Sequence, residues 1–175
     1  SGYDRLDYTN YDSARTFDLT AVDADGFDGT EASLFTGFFN INWLLGRNAT
    51  DIDSLQGLNV DAGWYINAAS STYTEKVTNF VLDFAYIDTL IGEGGADTFT
   101  FENTIVLTGD IDGGTGTDRL DYSSYTTIRD VTLTGLGSSD GFTGIENNGS
   151  LGGSFDNIDS LVGGSTVDID HSGRG

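Results

Sequence analysis

The chain has 175 residues, enough for one domain, with 28 acidic against 7 basic side chains and a formal net charge of −21. Such a charge repels nucleic acid and anionic membrane surfaces, so neither is expected as a partner. Aromatic residues at 12% and hydrophobic residues at 37% exclude a disordered acidic tail, and the lack of cysteine excludes a disulfide framework and zinc–thiolate sites.

No proline and 25 glycines, together with many Asp, Asn, Ser and Thr, predict numerous tight turns between short strands. No apolar run approaches the ~20 residues of a spanning helix, so membrane insertion is not expected. Ser1-Gly2 does not open a signal peptide, and the chain is read as mature or as cut from something longer. In chain order, strands are expected over 15–20, 34–39, 52–55, 58–66, 73–82, 87–91, 98–101, 104–108, 118–122, 130–135, 142–146, 158–162 and 166–169. Alternation is clearest in Phe99-Thr100-Phe101 and Val131-Thr132-Leu133. Over 74–91, Val77, Phe80, Val81 and Phe84 also fit helical spacing, but the β-branched and aromatic content favours strands.

Self-comparison shows a long internal repeat. Asp4-Arg5-Leu6-Asp7-Tyr8 recurs as Asp118-Arg119-Leu120-Asp121-Tyr122, an offset of 114. Phe35-Thr36-Gly37-Phe38 matches Phe142-Thr143-Gly144-Ile145 at 107, and Ile52-Asp53-Ser54-Leu55 matches Ile158-Asp159-Ser160-Leu161 at 106. On this alignment the first copy carries extra residues in the acidic stretch 22–33, read as an inserted loop. The chain then divides into a partial first copy (1–57), a second copy (58–163) and the start of a further one (164–175). Ile-Asp-Ser/Thr-Leu occurs at Ile52, Ile87 and Ile158, so Leu55, Leu90 and Leu161 are expected to stack in an apolar interior.

Gly113 to Asp121 reads G-G-x-G-x-D-x-L-x, the nonapeptide of the calcium-binding parallel β-roll. Glycines permit positive φ and close approach of carbonyls to a cation, and an aspartate supplies a hard oxygen. The leading candidate metal site is therefore Asp118 with Asp112 and the backbone around Gly114 and Gly116. A second, imperfect nonapeptide offers Glu93, Gly95 and Asp97. Asp4 ends a third, and Asp23, Asp25 and Asp28 form an acidic loop that lacks the full ligand spacing of an EF-hand. Asp97 and Asp118 stand 21 residues apart, not a multiple of nine, which departs from a pure β-roll.

The phrases Gly113 to Tyr125, Val131 to Thr134 and Gly141 to Asn147 resemble the RTX-type and related β-helical repeats of very large secreted bacterial proteins. The resemblance covers most of the chain at the level of repeat style. It implies an adhesin, fibre or coat protein, exported without disulfides and stabilised by Ca2+.

The fold expected is all-β, a parallel β-helix or β-solenoid with Gly/Asp-rich calcium-binding turns. The function expected is a structural segment of an extracellular bacterial filament, adhesin or surface layer. It would associate with itself or with neighbouring repeats, with surface glycans as a further partner. Tyr8, Tyr11, Tyr122, Tyr125, Trp43 and Trp64 would either fill the core or form a glycan platform. Asn48-Ala49-Thr50 and Asn148-Gly149-Ser150 match the glycosylation triplet. No catalytic role is expected. The alternative, a β-helical lyase or epimerase, would rest on Arg119, Tyr122, Tyr125 and Arg129, because the one histidine, His171, sits near the end of the chain.

Overall fold

The computed structural model describes residues 2–47 and 50–164 and the backbone of 169–170. The expected strand at 166–169 (but for the backbone of Ile169), Asn48 and Ala49 of the first triplet, and His171 lie outside the described residues.

The strands, in chain order, are β1 (Arg5–Asp7), β2 (Thr16–Val22), β3 (Phe27–Glu31), β4 (Phe38–Ile41), β5 (Trp43–Leu45), β6 (Ser54–Gln56), β7 (Ala62–Ile66), β8 (Ser71–Glu75), β9 (Val81–Ala85) and β10 (Thr89–Ile91). They continue as β11 (Gly94–Gly95), β12 (Asp97–Phe101), β13 (Ile111–Asp112), β14 (Thr115–Gly116), β15 (Arg119–Asp121), β16 (Asp130–Leu136), β17 (Phe142–Glu146), β18 (Ser154–Ile158), β19 (Ser160–Val162) and β20 (Ile169–Asp170). Among the described residues there is no helix. Over 74–91 the chain forms β8, β9 and β10, turning at Asn79, which takes a φ of 61°.

An all-β chain is therefore shown, but not a parallel β-helix. One sheet has eight strands, ordered β1-β5-β9-β8-β7-β12-β15-β19. The other has ten, ordered β20-β16-β17-β18-β13-β10-β6-β2-β3-β4. Both are mixed: β2–β3–β4, β7–β8–β9 and β16–β17–β18 are antiparallel meanders. The two sheets lie in a sandwich-like arrangement around one core. Tight turns that admit positive φ, such as the one before Phe27 at Gly26, reverse the chain where a β-helix would carry it onward.

Alternation sets each register. In the ten-stranded sheet Phe17 lies beside Leu55, Leu55 beside Leu90, Leu90 beside Ile111 and Ile111 beside Phe155, all buried. In the eight-stranded sheet Trp64 lies beside Phe99 and Phe99 beside Leu120. Trp64 stacks on Phe99 with centroids 5.5 Å apart, and Tyr73 meets it edge-on at 4.6 Å. Each such side chain contributes about 1.5–3 kcal/mol by leaving water. Leu161 does not join Leu55 and Leu90: it pairs with Leu120 in the opposite sheet and is exposed.

The pairing registers define an internal duplication. β2–β3 pairs Phe17 with Glu31, Leu19 with Gly29 and Val22 with Phe27, with a bulge after Leu19. β16–β17 pairs Val131 with Glu146, Leu133 with Gly144 and Leu136 with Phe142, with a bulge after Leu133. Arg5 faces Trp43 as Arg119 faces Ser160. The counterpart of Phe142–Glu146 is therefore Phe27–Glu31, an offset of 115, and not Phe35–Phe38. The acidic stretch 22–33 contains β3 rather than an inserted loop: Phe27, Gly29 and Glu31 point inward while the acidic Asp28 is half-buried. No strand forms at 104–108, where Leu107 makes only an isolated bridge to Leu151.

Glycine is required at Gly29 and Gly144 by contact. A Cβ on Gly144 would fall on the Phe155 ring and 2.6 Å from the Thr132 carbonyl oxygen, and one on Gly29 would fall on the Phe38 ring. Gly144→Ala is expected to destabilise by about 1–3 kcal/mol through overpacking. Gly135→Ala, whose Cβ would meet only Thr143 at 3.5 Å, should stay within about 0.5 kcal/mol. Urea unfolding of the two variants checks the contrast.

Candidate metal centre

With 7 basic side chains for 28 acidic ones, most carboxylates must find hydrogen-bond donors on the backbone. The inward Asp residues do so at the corners between strands. Asp53 accepts from the N–H of Arg15 at 2.6 Å and from that of Arg47. Asp53 in turn donates its own N–H to Asp88 Oδ2 at 2.9 Å. Asp97 donates to Asp118 Oδ1, and Asp118 donates to Asp159 Oδ2, each at 2.8 Å. The Asp of the Ile-Asp-Ser/Thr-Leu echo thus serves as a corner acceptor in all three occurrences.

One corner gathers more buried carboxylate oxygens than donors. Asp118 precedes β15, Asp140 lies in the loop between β16 and β17, and Asp159 sits between β18 and β19. One carboxylate oxygen from each lies within 4.8 Å of the others, and among the described residues this is the one such three-carboxylate group. Oxygens bound to calcium at 2.3–2.6 Å span that range. Asp118 is fully buried, Asp140 half-buried and Asp159 exposed. Asp118 Oδ2 and Asp140 Oδ1 are shielded from solvent and accept no hydrogen bond. Their partner oxygens are fixed, since Asp118 Oδ1 holds the Asp97 N–H and Asp140 Oδ2 accepts from Gly116 N–H at 3.1 Å.

The loop that carries Asp140 is shaped by Asn157, buried at a φ of 56°. Its Oδ1 accepts from Ser139 N–H at 2.7 Å and Asp140 N–H at 3.2 Å, and its Nδ2 donates to Asp112 Oδ1 at 2.7 Å. Asp112 Oδ1 also accepts from Gly114 N–H at 3.0 Å. The arrangement supplies anionic oxygens partly withdrawn from water, the chemistry of a hard divalent cation.

Electrostatics fit that chemistry. Burial, then the charges of Asp159, Asp140 and Asp112, pushes the Asp118 carboxyl up to about 6 against the pull of the Asp97 N–H. Burial pushes Asp97 up to about 8; the Trp64 indole, donating at 3.2 Å, opposes this, and Asp118 and Asp61 reinforce it. Asp97 Oδ2 is also buried without a partner. Glu31 behaves oppositely: burial resists its ionisation, but hydrogen bonds from Ser33, Tyr8 and Arg15 prevail and its pKa is lowered.

Of the residues anticipated from sequence, Asp118 is in the cluster, Asp97 adjoins it, and Asp112 braces its loop. Gly114 and Gly116 take φ of 86° and 144°, Gly95 takes 97°, and β11 pairs with β14 through Gly95 and Gly116. Glu93 is exposed, and its carbonyl accepts from Thr115 N–H at 2.9 Å. Asp4, Asp23 and Asp25 lie at the other end of the molecule. Asp4 is the counterpart of Asp118: its carbonyl accepts from Asn42 and Trp43 as that of Asp118 accepts from Asp159 and Ser160. Asn42 stands where the second copy has Asp159, and its Nδ2 donates to the Asp25 carbonyl at 3.0 Å. An amide there removes one of the three charges. Asp23 Oδ1 caps the Asp25 N–H at 2.8 Å.

Asp140 and Asp159 escaped the sequence reading, although Asp159 lies in the echo already noted and Asp140-Gly141 is a turn dipeptide. The aromatic group is mostly core: Tyr8, Trp64, Tyr122 and Tyr125 are buried, Trp43 is half-buried and Tyr11 exposed. The Arg129 guanidinium lies 4.3 Å from the Tyr125 ring centroid, while the exposed Arg119 pairs with the buried Asp121 at 2.6 Å. No family model, curated protein or solved structure matches the chain.

Because Asp97 and Asp118 hold their protons more tightly when folded, their contribution to stability is complete below pH ~4, the unfolded carboxyl pKa. It is lost as pH rises through about 6 and about 8. In chelator the melting temperature is therefore expected to fall between pH 5 and 8.5, on the order of several degrees. Asp97→Asn should flatten the upper part of that fall. A thermal melt series in EDTA that rises or stays level over this window would contradict the assignment.

Proposed function

We propose that this chain is a non-catalytic structural segment of an exported bacterial surface protein, stabilised by one calcium ion held by Asp118, Asp140 and Asp159. The observation that carries the reading is the pair of buried, unpartnered oxygens, Asp118 Oδ2 and Asp140 Oδ1, converging with Asp159. Buried carboxylate oxygens without donors are expensive, and a bound divalent cation removes that penalty. The resemblance of Gly113–Tyr125 to RTX-type repeats supports calcium over other ions, and it supports an exported setting. Extracellular calcium modules bind at about 0.1–1 mM, so a three-carboxylate site would fill there and stay empty in the low calcium of a cell interior. Filling on export would make the site a late fastener of the corner that joins β15, the β16–β17 loop and β19.

At ~5 mM calcium and pH 8, linkage predicts stabilisation of about 1–2 kcal/mol, or roughly 2–8 °C in Tm. Asp118→Asn should abolish that gain without lowering the Tm in chelator, since the amide keeps an acceptor for Asp97 N–H and relieves repulsion. Titration calorimetry with calcium provides the stoichiometry. A parent chain whose melt is indifferent to calcium, or an Asp118→Asn variant that still responds, would remove the ion from the proposal.

A further inference from the structure

The two copies of the duplicated unit differ in what covers them. In the first, Phe17, Leu19 and Phe27 on the inner face of β2–β3 are buried. Phe17 packs on Tyr8, while Phe27 is covered by the β7–β8–β9 meander: it meets the Tyr73 ring edge-on at 5.6 Å, and β9 pairs in parallel with β5, setting Leu44 beside Phe84. In the second copy Val131, the counterpart of Phe17, still packs against the core, but the positions farther along the hairpin are open. Leu133, the counterpart of Leu19, is 37% exposed, Leu136 in place of Val22 is 79%, and Phe142 in place of Phe27 is 42%. Leu161, the counterpart of the buried Leu44, is 40% exposed, and β19 ends its sheet with no strand on its outer side among the described residues. An apolar inner face with a bare parallel edge beside it is the first copy with its cover removed.

We infer that the inner face of β16–β17 together with the outer edge of β19 is a docking site for a further β7–β8–β9-type meander from a neighbouring copy of this repeat. Its β9-like strand would pair in parallel with β19, and its Tyr73-like ring would seat against Phe142. The occupant follows from the first copy, where the same backbone registers already hold that meander. Isolated exposed apolar side chains are ordinary, but Leu133, Phe142 and Leu161 have buried counterparts in Leu19, Phe27 and Leu44, and Leu136 has a half-buried one in Val22. The outer edge of β19, which pairs with no strand among the described residues, would add main-chain hydrogen bonding to the apolar contact. The inference extends the structural reading above and needs no cation, so the two fail separately.

The test is a chain in which residues 1–164 continue into a second copy of residues 48–175, because Gly164 follows β19 as Arg47 follows β5. Hydrogen exchange of 131–136 and 142–146 is compared with that in the unextended 175-residue chain, in calcium and in EDTA. The expected result is at least tenfold slower exchange, approaching that of 17–22 and 27–31. Leu136→Asp with Phe142→Asp should abolish the slowing in the extended chain while leaving the melt of the unextended chain nearly unchanged. Unchanged exchange in the extended chain, whether or not the added residues are ordered, overturns the inference. So does an unextended chain that light scattering shows to be a dimer dissociated by the same double substitution, because the face would then be self-complementary.

Discussion

A buried carboxylate accepting the backbone N–H of the next corner is the interaction on which this architecture depends. Seven basic side chains cannot neutralise 28 acidic ones, so the fold uses main-chain amides instead. Asp53 takes two such donors, and the run from Asp97 through Asp118 to Asp159 hands an N–H from one corner to the carboxylate of the next. These bonds do for the turns what the ladders do for the strands: they pin each corner above its neighbour and hold the aromatic and aliphatic layers in register. Charge-assisted bonds of this kind are about twice as strong as neutral ones, which suits positions where the ladder is interrupted.

The same economy explains why three carboxylates with spare oxygens gather where they do. Amide donors run out at the corner where the β16–β17 loop folds in beside Asp118, leaving two shielded oxygens unsatisfied. At the opposite end of the molecule, the corresponding corner has Asn42 in place of Asp159, and an amide supplies a donor where the second copy has a third charge. The two corners thus differ at Asn42 and Asp159 and in burial, since Asp4 and Asp25 are exposed where Asp118 is buried and Asp140 half-buried. The ion pairs are duplicated too. Arg15 bonds Glu31 at 3.1 Å beneath Tyr8 and Tyr11, and Arg129 lies 3.7 Å from Glu146 beside Tyr125. Two of the few cations are thus committed to the buried glutamates that end β3 and β17.

Much of this was legible in the residues. Composition and alternation specified an all-β chain, the Leu55–Leu90 neighbourhood followed from the Ile-Asp-Ser/Thr-Leu echo, and the 114-residue offset of the Asp-Arg-Leu-Asp-Tyr segments carries over into matching registers of β1 on β5 and β15 on β19. The parallel β-helix did not follow. Gly-bounded short strands are equally compatible with a chain that advances and one that doubles back, and the Asp-Gly pairs that mark the hairpin turns, Asp25-Gly26 and Asp140-Gly141, also occur at Asp28-Gly29 inside β3 and at Asp112-Gly113 after β13, where no hairpin forms. The acidity of 22–33 concealed β3, because its inward residues are Phe27, Gly29 and Glu31 rather than a run of aliphatics.

By itself, the sequence determined that the protein is built of short strands, that its interior is aromatic, that its carboxylates far outnumber its cations, and that a segment is duplicated. These follow from composition, alternation and self-similarity, which are local properties. Tertiary structure alone decided which strands run antiparallel, which copy of the apolar face is covered, and which carboxylates meet. Asp118, Asp140 and Asp159 come from three separate connections and are brought together by sheet pairing. Nothing in their sequence spacing encodes that meeting, because a shared corner is a property of how strands stack and not of the chain on either side of any one of them.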